Sequence, residues 1–405
     1  MDQTVNPTPF YPLGHVGDII AFRAAVAGWL NATVPPDWRQ NLTGASEETY
    51  LKFQNWWFDQ LKSVGLATPH WPKSWGGAGL PLSHQVVMIE ELARIGGPMA
   101  EMFVVSLFHM PATLFANGSP AQCDRYLTGV RDRGEIWCQG FSEPGAGSDL
   151  SALRTRAERK GDVYVVNGQK VWSSFGMHAD FCLLLARTNP QAPKKNAGIS
   201  YFILDMRAAG VTVRPIRQIT GRAEFTEIFL DNVEIPVENL IGAENAGWQI
   251  AQSTLAAERG LLIFEHAERM THALRRDYQA LTEQHGKPLE DAGLRREFTK
   301  RYAELTAVRL LIKQMIEQGE HGQDSGLLAA VIKLYWAQLL QNYTSLMARM
   351  RGLDAQRAMP LSLGTGHNSG DYLSDFLQSY GWTIAGGTNE IMRTLIAERI
   401  LGLPR

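Results

Sequence analysis

The chain has 405 residues, 45% apolar and 20% charged, with a formal net charge of −2. That length exceeds a single compact core and predicts two or three domains. Near-neutral charge without a basic run argues against a nucleic-acid partner, and no apolar run approaches the roughly 20 residues a membrane span needs.

The opening residues carry no basic segment followed by an apolar one, so a cytoplasmic location is expected. Amphipathic patterning predicts helices over Asp18–Leu30 and Glu47–Leu66. The Pro- and Gly-rich tract Pro69–Gly79 breaks both regular structures and is read as loop. Helical patterning resumes over His84–Ile95 and Ala100–Ala116. Beyond Arg133 the texture turns to short β-rich runs bounded by turn residues: Val163–Val166, Phe181–Ala186, Tyr201–Asp205, Val211–Ile216 and Phe225–Leu230. From Trp248 long helical segments return, over Trp248–Glu283, Leu294–Gln318 and Ser325–Arg351. Met359–Asp371 reads as loop, and a last helix follows over Thr388–Ile400. The expected domains are a helical one over residues 1–133, an antiparallel β domain over 134–240 and a helical bundle over 241–405. No GxGxxG follows a predicted strand, so a Rossmann site is not supported. Cys123, Cys138 and Cys182 lack metal-like spacing and are expected to be reduced and buried. The ten histidines form no HxxH or HxxxH pair, so no metal is expected.

Four separated motifs carry the chemistry. Phe141-Ser142-Glu143-Pro144-Gly145-Ala146-Gly147-Ser148-Asp149 is a small-residue loop that lets a ligand approach the backbone. Asn167-Gly168-Gln169-Lys170-Val171-Trp172-Ser173-Ser174 sets an indole and two hydroxyls after a turn. Asp231–Pro236 leads to Gly242, and Gly386-Gly387-Thr388-Asn389-Glu390-Ile391 stands near the end. In this order the motifs resemble the acyl-CoA dehydrogenase family over nearly the whole chain. The resemblance implies an α+β fold: a helical N-terminal domain, a middle antiparallel β domain and a C-terminal four-helix bundle. It also implies FAD as cofactor and α,β-desaturation of an acyl-CoA thioester, with electrons passed to an electron-transfer flavoprotein. Phe141 and Ser142 match positions facing the flavin pyrimidine edge, and Trp172 and Ser174 match positions lying against the ring. Ser148 matches a position near the substrate thioester. Gly387, Thr388 and Glu390 fall in the C-terminal motif on the cofactor side. Hydrogen-bond donors around the flavin fit the reaction, because they stabilise the negative charge it gains with hydride.

Most of the family carries the catalytic base at the position matched by Gly386, which has no side chain to act. A minority place it on a long helix, and the spacing from Gly247 to Glu258-Arg259 matches that arrangement. Glu258 is therefore expected to be the base, with Arg259 beside it and the Gly386 N–H polarising the thioester carbonyl. Glu265 and Glu390 are weaker alternatives. A carboxylate serves as base only where a dry pocket raises its pKa.

Three departures stand out. Gln139 replaces a frequent aromatic, and Thr282 replaces an Arg four residues before Gly286 that reaches a neighbour's FAD pyrophosphate. Leu363–His367 occupies the place of a Gln-x-x-Gly-Gly-x-Gly stretch. The last two put the adenosine half of the cofactor site in question and fit a heteromeric assembly in which a related subunit completes it. The tail resembles bacterial two-subunit dehydrogenases, some of which act on steroid side chains. The expected assembly is a homo- or heterotetramer. Two alternatives remain beside the dehydrogenase: a catalytically weak partner subunit, and an acyl-CoA oxidase.

Overall fold

Apolar spacing at i, i+3 and i+4 in the flanking thirds and alternation in the middle produce two helical stretches around one sheet. The computed structural model describes residues 12–13, 17–257, 261–285, 291–321, 326–356 and 372–404. The first helices are α1 (Ile19–Thr33), α2 (Trp38–Leu42), α3 (Glu47–Ser63), α4 (Leu82–Ile95), α5 (Met110–Asn117) and α6 (Pro120–Arg133). The strands are β1 (Trp137–Gly140), β2 (Arg156–Lys160), β3 (Val163–Ser174), β4 (Phe181–Arg187), β5 (Ile199–Asp205), β6 (Val211–Ile216), β7 (Phe225–Pro236) and β8 (Leu240–Ile241). Then come α7 (Gly247–Ala257), α8 (Leu261–His285), α9 (Ala292–Glu320), α10 (Gly326–Arg351), α11 (Tyr372–Ser379) and α12 (Asn389–Leu395).

The chain forms two compact units. The first gathers Leu61–Ala78 with Ala100–Ala257 and holds the sheet. Its strands run in the order β6-β7-β3-β2-β4-β5-β8, with β1 on β4. Most pairs are antiparallel; β1–β4 and the single β2–β4 contact are parallel. Tyr164, Val166, Leu184, Phe202, Leu204, Ile228 and Val233 form the core of the sheet. A Ser119–Gln122 capping box starts α6, and a left-handed Gly134 ends it.

The predicted helix over Ala100–Ala116 is present but changes type along its length. A 3-10 turn at Glu101–Phe103 and a wide π turn at Val105–His109 precede α5. Pro111 explains the wide turn, because it has no N–H to give the Leu107 carbonyl four residues earlier. That carbonyl instead accepts the indole N–H of Trp71, at 3.2 Å. The Pro- and Gly-rich tract is thereby pinned, with Trp71 fully buried.

The second unit gathers Phe10–Gln60, Gly79–Met99 and Glu258–Arg405. Helices α8, α9 and α10 bury Phe264, Met270, Leu305, Ile312, Trp336 and Leu340 in one cluster that also takes Ile89 of α4. Arg23 of α1 bridges Glu90 and Glu91 of α4, at 2.5 and 2.8 Å. The predicted helix over Trp248–Glu283 corresponds to α7 and α8, between which residues 258–260 lie outside the described residues. No helix among the described residues is long and apolar enough to cross a membrane.

Candidate active site

Lys170 sits on the inward face of β3 with Tyr164 and Val166, where alternation would place an apolar side chain, and it is fully buried. A buried ammonium is costly unless paired and hydrogen-bonded. Its Nζ donates to Glu143 Oε1 at 2.8 Å and to the Phe141 carbonyl at 3.1 Å. Glu143 is buried as well, and accepts the backbone N–H of Thr155 at 2.8 Å and of Arg154 at 2.6 Å. Burial opposes its charge, but the Lys170 ammonium and these donors outweigh that and hold the carboxyl below its ordinary range. For Lys170 burial dominates and draws the ammonium below its usual value, although Glu143 raises it.

The loop around Glu143 is built onto this pair. Reciprocal backbone hydrogen bonds of 3.0 Å close Glu143 on Ala146. The Val171 N–H donates to the Ser142 carbonyl at 2.9 Å and ties the loop to the end of β3. Beyond Lys170 the strand bulges: Lys170 faces Ile228 and Ser173 faces Thr226, so β3 holds one extra residue against β7. A bulge re-aims a side chain, and here it turns Trp172 outward, 57% exposed, with φ at 63°. Its ring lies roughly perpendicular to that of Phe225, 6.0 Å between centroids. Phe175 is also left-handed, at φ 54°, and its N–H donates to the Glu224 carbonyl at 2.6 Å.

Phe141, Ser142, Trp172 and Ser174 are thus brought to one end of the sheet. The Phe141 side chain is buried against Tyr201, so its backbone is what it can offer a ligand. Ser142 and Ser174 are half-buried. Ser148 is exposed on the loop, where positions 145 and 147 are open beside their Cα atoms.

Gly386, Gly387, Thr388 and Glu390 belong to the second unit. Gly386 and Gly387 take φ of 65° and 94°, a left-handed pair that needs glycine. Thr388 caps α12, its hydroxyl accepting the Ile391 N–H at 3.2 Å. Lys333 of α10, itself buried, donates to the Gly387 carbonyl at 2.5 Å and to Asn389 Oδ1 at 3.3 Å. Trp382 leads into the turn and packs on His266 at 5.3 Å and Trp336 at 6.2 Å. Glu390 is exposed and pairs with Arg393 at 3.1 Å, a contact of little energetic weight.

Glu258 and Arg259 lie outside the described residues, as do Gly286 and Leu363–His367. Glu265 is engaged by Arg269 at 2.5 Å. Thr282 turns its hydroxyl onto its own helix, donating to the Tyr278 carbonyl at 2.8 Å. Lys170 and Glu143 stand within the sequence motifs without a predicted role, and Lys333 lies outside those motifs. A lysine on the inward alternation of β3 was the available signal; for Lys333 it was a charge within the apolar face of α10.

The chain is an α+β protein, helical before and after one sheet in chain order. The models of the acyl-CoA dehydrogenase N-terminal, middle and C-terminal domains match residues 18–133, 138–233 and 245–401. The chain is 36% identical to the acyl-CoA dehydrogenase IpdE1 of Mycobacterium tuberculosis, over 96% of this chain and 98% of that protein. Among solved structures it is similar to a protein titled Tcur3481-Tcur3483 steroid ACAD, with a TM-score of 0.83, 31% identity and coverage of 96% and 98%. It is similar also to the ChsE4-ChsE5 complex of Mycobacterium tuberculosis, with a TM-score of 0.80, 27% identity and coverage of 96% and 99%. The chain belongs to the acyl-CoA dehydrogenase family and is an oxidoreductase of that class.

Proposed function

We propose that this chain is an FAD-dependent enzyme that desaturates a bulky acyl-CoA thioester between its α and β carbons. The observation that carries the reading is the outward, left-handed Trp172 held beside the Ser142 loop by the Val171–Ser142 hydrogen bond. These residues fit an isoalloxazine ring: a largely uncovered indole face, two half-buried hydroxyls at Ser142 and Ser174, and open room at Gly145 and Gly147. When bound, FAD supplies the acceptor for the β-hydride.

The chain's own groups do the rest. Glu258 removes the α-proton, steadied by Arg259. The Gly386 N–H polarises the thioester carbonyl, and Ser148 lies toward that end of the substrate. Gly387, Thr388 and Glu390 serve the cofactor side. Electrons leave to an electron-transfer flavoprotein. The assembly is a tetramer with a second copy or a related subunit that supplies adenosine-side contacts. Thr282 supports this, since its hydroxyl is spent on its own helix where an arginine would reach outward. The paired names of the two similar structures support a related subunit, and the steroid title supports a bulky acyl group.

The test is the Glu258→Gln variant in an anaerobic assay of substrate-dependent flavin bleaching. Retained flavin with bleaching lost supports Glu258 as the base. Bleaching at the wild-type rate rules it out.

A further inference from the structure

We propose that the buried Lys170–Glu143 pair is a positioning element that fixes the distance between the Phe141–Ser142 loop and Trp172, and so sets how tightly flavin is held. This rests on the reading of those residues as flavin-facing. The geometry is specific. Lys170 reaches two points of the loop, the Phe141 carbonyl and the Glu143 carboxylate, from the residue just before the bulge that turns Trp172 outward. Glu143 in turn holds the backbone where the loop enters β2, through Arg154 and Thr155. One ammonium and one carboxylate therefore tie three chain segments together: the loop after β1, the start of β2 and the end of β3. The remaining link, Val171 N–H to Ser142 C=O, lies beside the ammonium and depends on its holding the loop close.

The chemistry argues against a role in stability alone. A buried ion pair is a poor stabiliser compared with apolar side chains of similar volume, and its best-attested use is to specify a register. Neither charge is placed to react: Lys170 is sealed, and Glu143 accepts three hydrogen bonds inside the protein. What the pair does specify is the placement of a loop whose outward face is otherwise open, with free space among the described residues where a Cβ at Gly145 or Gly147 would sit.

The experiment uses the full chain in the assembly in which it purifies. It compares the wild type with Lys170→Met, Glu143→Gln and, as a control, Leu204→Ala, which cuts a buried residue from the same sheet core. Two quantities are read: amide hydrogen exchange over residues 141–149 and at Val171 without flavin, and the dissociation constant for added FAD. The expected result is faster exchange at Val171 and FAD binding weakened by about tenfold or more, a factor worth about 1.4 kcal/mol, in Lys170→Met. Glu143→Gln, which keeps the shape of the side chain, should move the same way if Lys170→Met does not fold. Leu204→Ala should lose stability yet keep its FAD affinity within about twofold. Unchanged Val171 exchange and unchanged FAD affinity in both pair variants would overturn the inference and leave the proposed function standing. A wild type that takes up no FAD at saturation, alone or co-expressed with a related subunit, would overturn the flavin-facing reading, and this inference with it.

Discussion

Replacing Trp172 by alanine and by glycine separates the strain held at the β3 bulge from the packing of its ring. Both variants remove the indole, whose ring contact with Phe225 is an edge at 6.0 Å. They differ only in the Cβ that must sit at φ 63°. Left-handed backbone costs an L-residue roughly 1–2 kcal/mol, a cost glycine escapes. At an ordinary strand position the order is opposite, glycine being worse than alanine by roughly 0.5–1 kcal/mol. Trp172→Gly should therefore be more stable than Trp172→Ala by about 1 kcal/mol. At Val165, an ordinary position on the same strand, alanine should be the more stable of the two. Urea denaturation of the four variants, followed by circular dichroism, measures both differences. An alanine variant at 172 as stable as its glycine counterpart would refute the strain. If the indole faces flavin, both 172 variants should weaken FAD binding alike whatever their order of stability, which places the strain at a functional position.

Burial holds His70 down to about 4, from an ordinary 6.5, although a backbone hydrogen bond with Leu107 raises it. Between those values the folded chain binds fewer protons than the unfolded one. Stability should thus be complete above 6.5 and fall as the pH drops through the window, by up to about 3 kcal/mol at its acid end. Comparing wild type with His70→Phe by urea melts across that range should show the slope reduced in the variant; equal slopes would refute it. Lys333→Met should cost about 1.5–3 kcal/mol through its lost charge-assisted bonds. It should also lower turnover by loosening the Gly386–Gly387 turn, read from melts and steady-state rates; wild-type turnover would contradict that role. Phe264→Ala, in the core of the second unit, should cost about 3–5 kcal/mol as a cavity, and a melt shifted by less than 1 kcal/mol would contradict its packing.

Helices before and after a sheet were legible because long amphipathic periods and short alternating runs leave unmistakable traces. Strand β2 was not, since Arg156, Glu158, Arg159 and Lys160 are exposed and Ala157 alone is buried. Strand β1 is four residues long and mostly buried, so it shows little alternation. The π turn before α5 turned on one missing proline N–H whose consequence, the Trp71 bond to Leu107, is a long-range event. At the candidate site, the segments of Trp172 and Ser142 are joined by the Val171–Ser142 hydrogen bond. The means of gathering was hidden, because a lysine and a glutamate 27 positions apart pair only once β3 and the loop are in place.

The central claim is tested most directly by an anaerobic absorbance titration of the purified wild-type chain with short, long, branched and steroid-type acyl-CoA thioesters. Bound FAD should bleach on addition of a bulky member of the panel, and in Glu258→Gln the flavin should stay bound while that bleaching is lost. A flavin-loaded protein that no acyl-CoA bleaches would contradict the claim.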